Sequence, residues 1–191
     1  FLDSQPVDQG VIEQKSIAVI PISGVIMKDD MCGEAGSMTR ARMIQMADVN
    51  ESIGTIILDI DSPGGMVDGT RTLVEAIIAC SKRTVAYIND GTAASAAYWI
   101  ASACDEIYVS HEMDRIGSIG GYSSVQSLEG KINKEGGVAV DVYAKQSTEK
   151  NQAYRAVIQG DLSLMTEENS RYAEMFIQQV KKNREGKLNS K

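Results

Sequence analysis

The chain holds a single histidine, His111, and only three cysteines, Cys32, Cys80 and Cys104. The cysteines are odd in number, far apart and without a C-x-x-C pair. That pattern excludes a disulfide framework and a paired-cysteine metal site, and it fits a reducing compartment. Cys80 and Cys104 sit in apolar helical stretches and are expected in the core. Positive charge is in short supply: 19 Lys and Arg stand against 26 Asp and Glu, a net charge of −7. No nucleic-acid partner is expected, because binding phosphates takes concentrated positive charge. The only basic cluster, Lys181, Lys182 and Arg184, falls near the C-terminus, where it complements a helix dipole. No apolar run nears the roughly 18 residues of a membrane span, and no basic-then-apolar leader opens the chain.

What is present is enough apolar residue, 43% of 191, to bury one sizeable core. The pattern predicts a polar, loose arm over residues 1–15, a single domain over 16–185 and a short tail over 186–191. Ser16–Met27 reads as a strand with Pro21 at an edge or bend, and Met38–Asn50 as a helix. Thr55–Asp61, "TIILDID", is a continuous apolar run and predicts a strand buried on both faces. Helix follows over Met66–Cys80, strand over Arg83–Asp90, helix over Ala93–Ala103 and strand over Glu106–Ser110. Further along, the pattern predicts helix around Ser123–Lys134, strand over Val138–Ala144, and a last amphipathic helix over Thr166–Asn183 capped by Thr166. Strands alternating with helices indicate an α/β domain with a largely parallel sheet.

In such folds, sites form where strands end and helices begin. Two junctions carry unusual residues. In "DIDSPGGMVDG", Asp59–Gly69, Pro63 fixes one backbone angle while Gly64 and Gly65 permit positive φ and leave their amides uncovered. Uncovered N–H groups at a helix entrance can bind a developing oxyanion; by itself the stretch reads first as a tight strand-to-helix turn. In "NDGTAASAAY", Asn89–Tyr98, one hydroxyl, Ser95, stands among small residues at a helix entrance. Alone it is as well a helix cap or a packing residue.

The two junctions occur in one series: "VIPISGVI", "ILDIDSPGG", "GTAASAAYWIASACDEIYVS", "RIGSIGG" and "YAEMFIQQVKKNR". In order and spacing this series resembles the signal peptide peptidase A (protease IV) family and the related phage head-maturation proteases, within the Clp-protease/crotonase superfamily. The resemblance covers residues 16–185 and implies a fold of repeated β-β-α units. It implies that Ser95 is a nucleophile, and that the amide of Gly64 or Gly65, with that of Ala96, forms an oxyanion hole. Members often carry a glycine pair after the serine; here Ala96 and Ala97 stand there, still small. A Clp-type histidine would lie near "RIGSIGG", and His111 does not match that position.

The resemblance implies instead a Ser–Lys dyad, whose lysine follows Val138–Ala144 and precedes the last helix. Lys150, followed by Asn151, fits the family pattern better than Lys145. Such a lysine must lose water to accept a proton near neutral pH. Ser118 in "RIGSIGG" is a candidate to orient the base, and Met66, Tyr98 and Ile119 are candidates to shape the substrate pocket. No metal or cofactor is implied. The expected activity is therefore a serine endopeptidase acting on a peptide or unfolded protein, of signal-peptide or phage capsid/scaffold type. A ring-forming homo-oligomer is expected, with the dyad shared between protomers. The expected setting is cytoplasmic, phage or prophage included; a membrane-associated or periplasmic form stays open to a segment upstream. Two rivals remain: a non-catalytic assembly scaffold of the same fold, and a crotonase-type acyl-CoA enzyme using the oxyanion geometry without a serine.

Overall fold

β-branched and apolar residues dominate Ser16–Ile26, and these residues form the first strand, β1. The computed structural model describes residues 15–187. Most of the expected N-terminal arm and the last residues of the expected tail lie outside the described residues. The described residues cluster into two compact units, one running through Ile116 and the other from Gly117.

After β1, the first unit contains α1 (Ser37–Val49), β2 (Ile53–Gly65), α2 (Thr70–Ala79), β3 (Arg83–Ile88) and β4 (Thr92–Ala94). It continues with α3 (Ala96–Ala103) and β5 (Glu106–Val109), and the unit boundary falls within β6 (Arg115–Gly117). The sheet runs β5-β3-β2-β4-β6, with β1 also paired to β2. The β1–β2, β2–β3, β2–β4 and β3–β5 pairs are all parallel. Parallel neighbours need a crossover, and α1, α2 and α3 supply it. The α/β class with a parallel sheet is thus as the alternation indicates.

Burial along β2 alternates: Ile56, Leu58, Ile60, Ser62 and Gly64 are buried, whereas Asp59, Asp61, Pro63 and Gly65 are exposed. The apolar run therefore does not mark a strand buried on both faces. Within this unit the buried face of the sheet carries Ile20, Ile22 and Ile26 of β1, Ile56, Leu58 and Ile60 of β2 and Ala86 and Ile88 of β3. Ile44 of α1, Leu73, Val74 and Ile77 of α2, and Ala97 and Ile100 of α3 are buried with them. Each large aliphatic side chain so buried contributes about 1.5–3 kcal/mol. Ile17, Val19, Tyr87 and Tyr108 remain exposed.

Among the described residues β1 pairs only with β2, as the edge position suggested by Pro21 requires, and the Pro21 carbonyl accepts a hydrogen bond from the buried Arg40 Nε of α1 at 2.9 Å. Lys82 closes the far end of α1, donating from Nζ to the carbonyls of Ala47, at 2.7 Å, and Asn50. Carbonyls at a helix C-terminus have no internal partner, so a lysine there satisfies them and complements the dipole. Cys104 is buried as expected; Cys80 is only half-buried, and Cys32 is exposed. Burial pushes the Cys80 thiol above its ordinary value.

Element boundaries move where loops take over. The helix expected from Met66 begins at Thr70, and the one expected from Ala93 begins at Ala96, because Thr92–Ala94 forms β4. The second unit contains α4 (Glu129–Lys134), α5 (Gln152–Ile158) and α6 (Ser163–Asn183). Only the C-terminal half of the helix expected over Ser123–Lys134 forms, and α5 was not anticipated. Thr166 is not the cap of the last helix, which starts three residues earlier. Asp161 Oδ1 accepts the Ser163 amide at 2.9 Å and so nucleates that earlier start. Lys181 and Lys182 do sit in its last turn. Val138–Ala144, expected as strand, is not in one. A strand exists only with a pairing partner, and among the described residues none pairs with this segment.

Candidate active site

The two glycine- and alanine-rich junctions come together in the first unit. Gly64 adopts φ +99°, and an added Cβ there would lie 2.7 Å from Ser95 Cβ, 2.8 Å from the Ala94 carbonyl oxygen and 3.0 Å from the Ala96 nitrogen. Only glycine permits this approach. A side chain at Gly65 would run into the backbone of Ile26 on β1, so β2 presses between β1 and the Ser95 turn.

Ser95 itself is held at φ 53°, ψ −125°. That is the conformation of the first central residue of a type II′ turn, which glycine ordinarily occupies. A non-glycine residue there stores on the order of 1–3 kcal/mol of strain and persists only because its surroundings over-determine it. Immediately after it, α3 begins, with the Trp99 amide donating to the Ser95 carbonyl at 3.0 Å. In any helix the first amides have no intrahelical acceptor. In α3 these belong to Ala96, Ala97 and Tyr98, and no side chain caps them. Ala96 and Ala97 are buried, so small residues suffice where the family often has glycine.

Ser62 was missed by the sequence reading. It is fully buried, donates its hydroxyl to the Gly24 carbonyl at 2.6 Å and accepts the Gly64 amide at 3.1 Å. The Gly64 N–H is therefore already engaged. Gly65 pairs with Ile26, and the Ile26 carbonyl takes the amide of Met66 at 2.8 Å. Successive peptide groups of a strand point to opposite edges, so the Gly65 amide faces away from β1. The signal for Ser62 was the hydroxyl preceding Pro-Gly-Gly.

Two carboxylates reach the loop that leads into Ser95. Asp61 Oδ1 accepts the Thr92 amide at 3.1 Å, and Asp114 Oδ1 accepts the Gly91 amide at 2.8 Å. Asp114 Oδ2 also takes the His111 amide at 3.0 Å and the Ser110 hydroxyl at 3.3 Å. Burial pushes the Asp114 carboxyl up, but those hydrogen bonds together with the nearby His111 outweigh it and hold it below its ordinary value. Nothing local in the sequence singled out either residue. The exposed His111 contributes its backbone here.

Ser118 and the two candidate lysines belong to the second unit. Ser118 is exposed and at φ 55°. Lys145 and Lys150 are exposed in turns, and the αL residue Asn151 follows Lys150 at the start of α5. Of the expected pocket residues, Met66 is exposed and Tyr98 half-buried in the first unit, while Ile119 is exposed in the second. Among the described residues, no group of three or more His, Cys, Asp or Glu could hold a metal ion.

Residues 18–174 match the family model described as NfeD1b, N-terminal domain. The chain belongs to that family. As a member of the NfeD1b N-terminal domain family, it also has homologues with protease names, in line with the resemblance read from its motifs. It is 30% identical over 125 residues to Protease 4 of Salmonella typhi, covering 63% of this chain and 20% of that protein. It is 34% identical over 127 residues to the head-tail preconnector protein GP5 of Enterobacteria phage P21, covering 63% of this chain and 25% of that protein. The match thus spans only a fifth to a quarter of the length of these curated relatives. Among solved structures, one similar chain is the 1510-N membrane protease specific for a stomatin homolog from Pyrococcus horikoshii. It is 25% identical with a TM-score of 0.39, over 49% of this chain and 45% of that one. No helix among the described residues is long and apolar enough to cross a membrane.

Proposed function

We propose that this NfeD1b N-terminal domain is a serine endopeptidase in which Ser95 is the nucleophile and the amides of Gly65 and Ala96 form the oxyanion hole. The observation that carries this reading is the approach of Gly64 to Ser95 and Ala96. It places a strained serine, a glycine-lined strand end and a helix entrance within van der Waals reach of one another. Because Ser62 holds the Gly64 amide, Gly65 is the donor favoured of the two expected glycines.

In the proposed cycle, Lys150 as a neutral amine takes the Ser95 hydroxyl proton, and Oγ attacks the scissile carbonyl. The tetrahedral oxyanion is held by the Gly65 and Ala96 amides, each such donor being worth about 10²–10³ in rate. The amine product leaves with a proton from the lysine, and water deprotonated by the same lysine releases the acyl group. Ser118 orients the lysine. A lysine that works as a base near neutral pH has to be withdrawn from water, yet Lys150 is exposed in the single chain. A neighbouring protomer or the bound substrate therefore completes its environment, which favours a homo-oligomer with a shared dyad. Val138, Val140 and Val142, 80%, 72% and 90% exposed, support such an assembly, since alternating valines suit a strand awaiting a partner. The substrate class is an extended or unfolded protein segment, of signal-peptide or capsid/scaffold type, met in the cytoplasm.

Cleavage of an unfolded protein near pH 8 by wild type, Ser95→Ala, Lys150→Ala and Lys145→Ala tests the reading. Wild type and Lys145→Ala are expected to cut, and the other two to lose activity. Cutting by Ser95→Ala refutes the nucleophile, and cutting by Lys150→Ala alongside an inactive Lys145→Ala moves the base to Lys145. A wild type as inactive as Ser95→Ala favours a scaffold. Full activity in a monomer removes the shared dyad.

A further inference from the structure

We propose that Asp61 is a positioning residue which, with Asp114, sets the height of Ser95 against the oxyanion amides by holding the peptide groups at Gly91 and Thr92. This inference rests on the serine-peptidase reading for its consequence in catalysis, though not for its geometry.

β4 is three residues long; on β2 it is held by a single pair, Ser62 with Ala93, and on its other edge by the equally short β6. Such short ladders are a weak hold on a strand whose next residue is Ser95 in a strained conformation. The loop preceding it turns sharply, with Asp90 at φ 52°. Three further bonds fix it. Asp61 Oδ1 accepts the Thr92 amide, Asp114 Oδ1 accepts the Gly91 amide, and the Arg115 amide donates to the Gly91 carbonyl at 3.1 Å. From Thr92 the chain is extended to Ser95, so a shift at Thr92 has no slack in which to dissipate.

Gly91 shows that this approach is built. An added Cβ there would lie 3.0 Å from Asp61 Oδ1 and 3.2 Å from Asp61 Cβ and Cγ. A residue larger than glycine would push the carboxylate away from the peptide it holds.

Asp61 and Ser62 are also neighbours on β2, and successive side chains of a strand point to opposite faces. Ser62, on the buried face, ties down the Gly64 amide and the Gly24 carbonyl. Asp61, on the exposed face, ties down the Thr92 amide. One dipeptide thus grips the glycine strand end and the serine turn together, fixing the spacing that an attacking hydroxyl and its oxyanion donors must share. Misplacement of a reacting group by about 1 Å can cost on the order of 100-fold in rate.

The test uses Asp61→Ala, Asp61→Asn, Gly91→Ala and Asp114→Ala in the full chain, with two readouts. The first is amide hydrogen exchange over residues 91–97. The second is the saturable rate of Ser95 labelling by a fluorophosphonate, which separates the maximal rate from probe affinity. Asp61→Ala, Gly91→Ala and Asp114→Ala are expected to speed exchange in this segment and to lower the maximal labelling rate by about 10- to 100-fold, with probe affinity unchanged. Asp61→Asn keeps an acceptor oxygen and is expected to stay near wild type in both. Unchanged exchange in Asp61→Ala overturns the proposal, as does Asp61→Asn failing as badly as Asp61→Ala. If wild type is not labelled at Ser95, the peptidase reading fails, and the exchange data still decide whether the carboxylates hold the loop.

Discussion

Replacing Ser95 by glycine and, separately, by alanine isolates the backbone strain at the centre of the site. Both variants lack the hydroxyl, so both are expected to be inactive. They differ in the cost of holding φ 53°, ψ −125°. Alanine keeps the Cβ and therefore the strain, about 1–3 kcal/mol. Glycine removes it, at a cost of about 0.4–1 kcal/mol in added freedom of the unfolded chain. The difference leaves Ser95→Gly more stable than Ser95→Ala by about 1 kcal/mol, while Ser95→Ala stays close to wild type. With a urea slope of about 2 kcal/mol/M, that is a midpoint shift of about 0.5 M. Trp99, the only tryptophan, is buried in α3 four residues after Ser95, so its fluorescence follows the unfolding of this region. A glycine variant less stable than the alanine variant would refute the claim that this turn is strained and held by its surroundings.

Gly24 and Gly64 both have positive φ, but a Cβ at Gly24 meets nothing within 4 Å, whereas at Gly64 it meets Ser95, Ala94 and Ala96. Gly24→Ala is expected to lose about 1–2 kcal/mol for the left-handed backbone alone, and Gly64→Ala about 1–3 kcal/mol more for overpacking, together with all activity; equal urea midpoints would contradict the contact. Asp48 is held below the ordinary carboxylate value by the Ser81 hydroxyl, then by the Ser81 amide, with Cys80 Sγ adding a third bond. Its contribution is fully present above the unfolded value of about 3.9 and is lost as pH falls through the lower folded value. Urea midpoints should therefore decline on acidification into that range in wild type and less steeply in Asp48→Asn, and parallel declines would remove Asp48 from the account.

Apolar periodicity and the Gly, Pro and small-residue punctuation determined much of this protein by themselves. They placed β1, β2, β3 and β5, the order of strand and helix that demands parallel pairing, and the two junctions where a site could form. These are local properties: a β-branched run favours an extended chain whatever lies elsewhere, whereas Ser-Pro-Gly-Gly, which composition marks as a turn, continues β2 to Gly65 because β1 pairs with it. The length of α6 was largely legible for the same reason, but its start was not, because Asp161 rather than Thr166 holds the first turn. Val138–Ala144 carries a strand pattern and forms no strand, since pairing requires a second segment that periodicity cannot supply.

Tertiary structure alone decided which groups meet. It brought Gly64 against Ser95, turned Ser95 into a conformation natural to glycine, and committed the Gly64 amide to Ser62. It also set Asp61 and Asp114 on the amides ahead of Ser95, across 31 and 23 residues of chain respectively. A strained turn and an aimed carboxylate each draw their stability from distant neighbours. Their geometry exists only once β2, β4 and the loop before β6 are packed together.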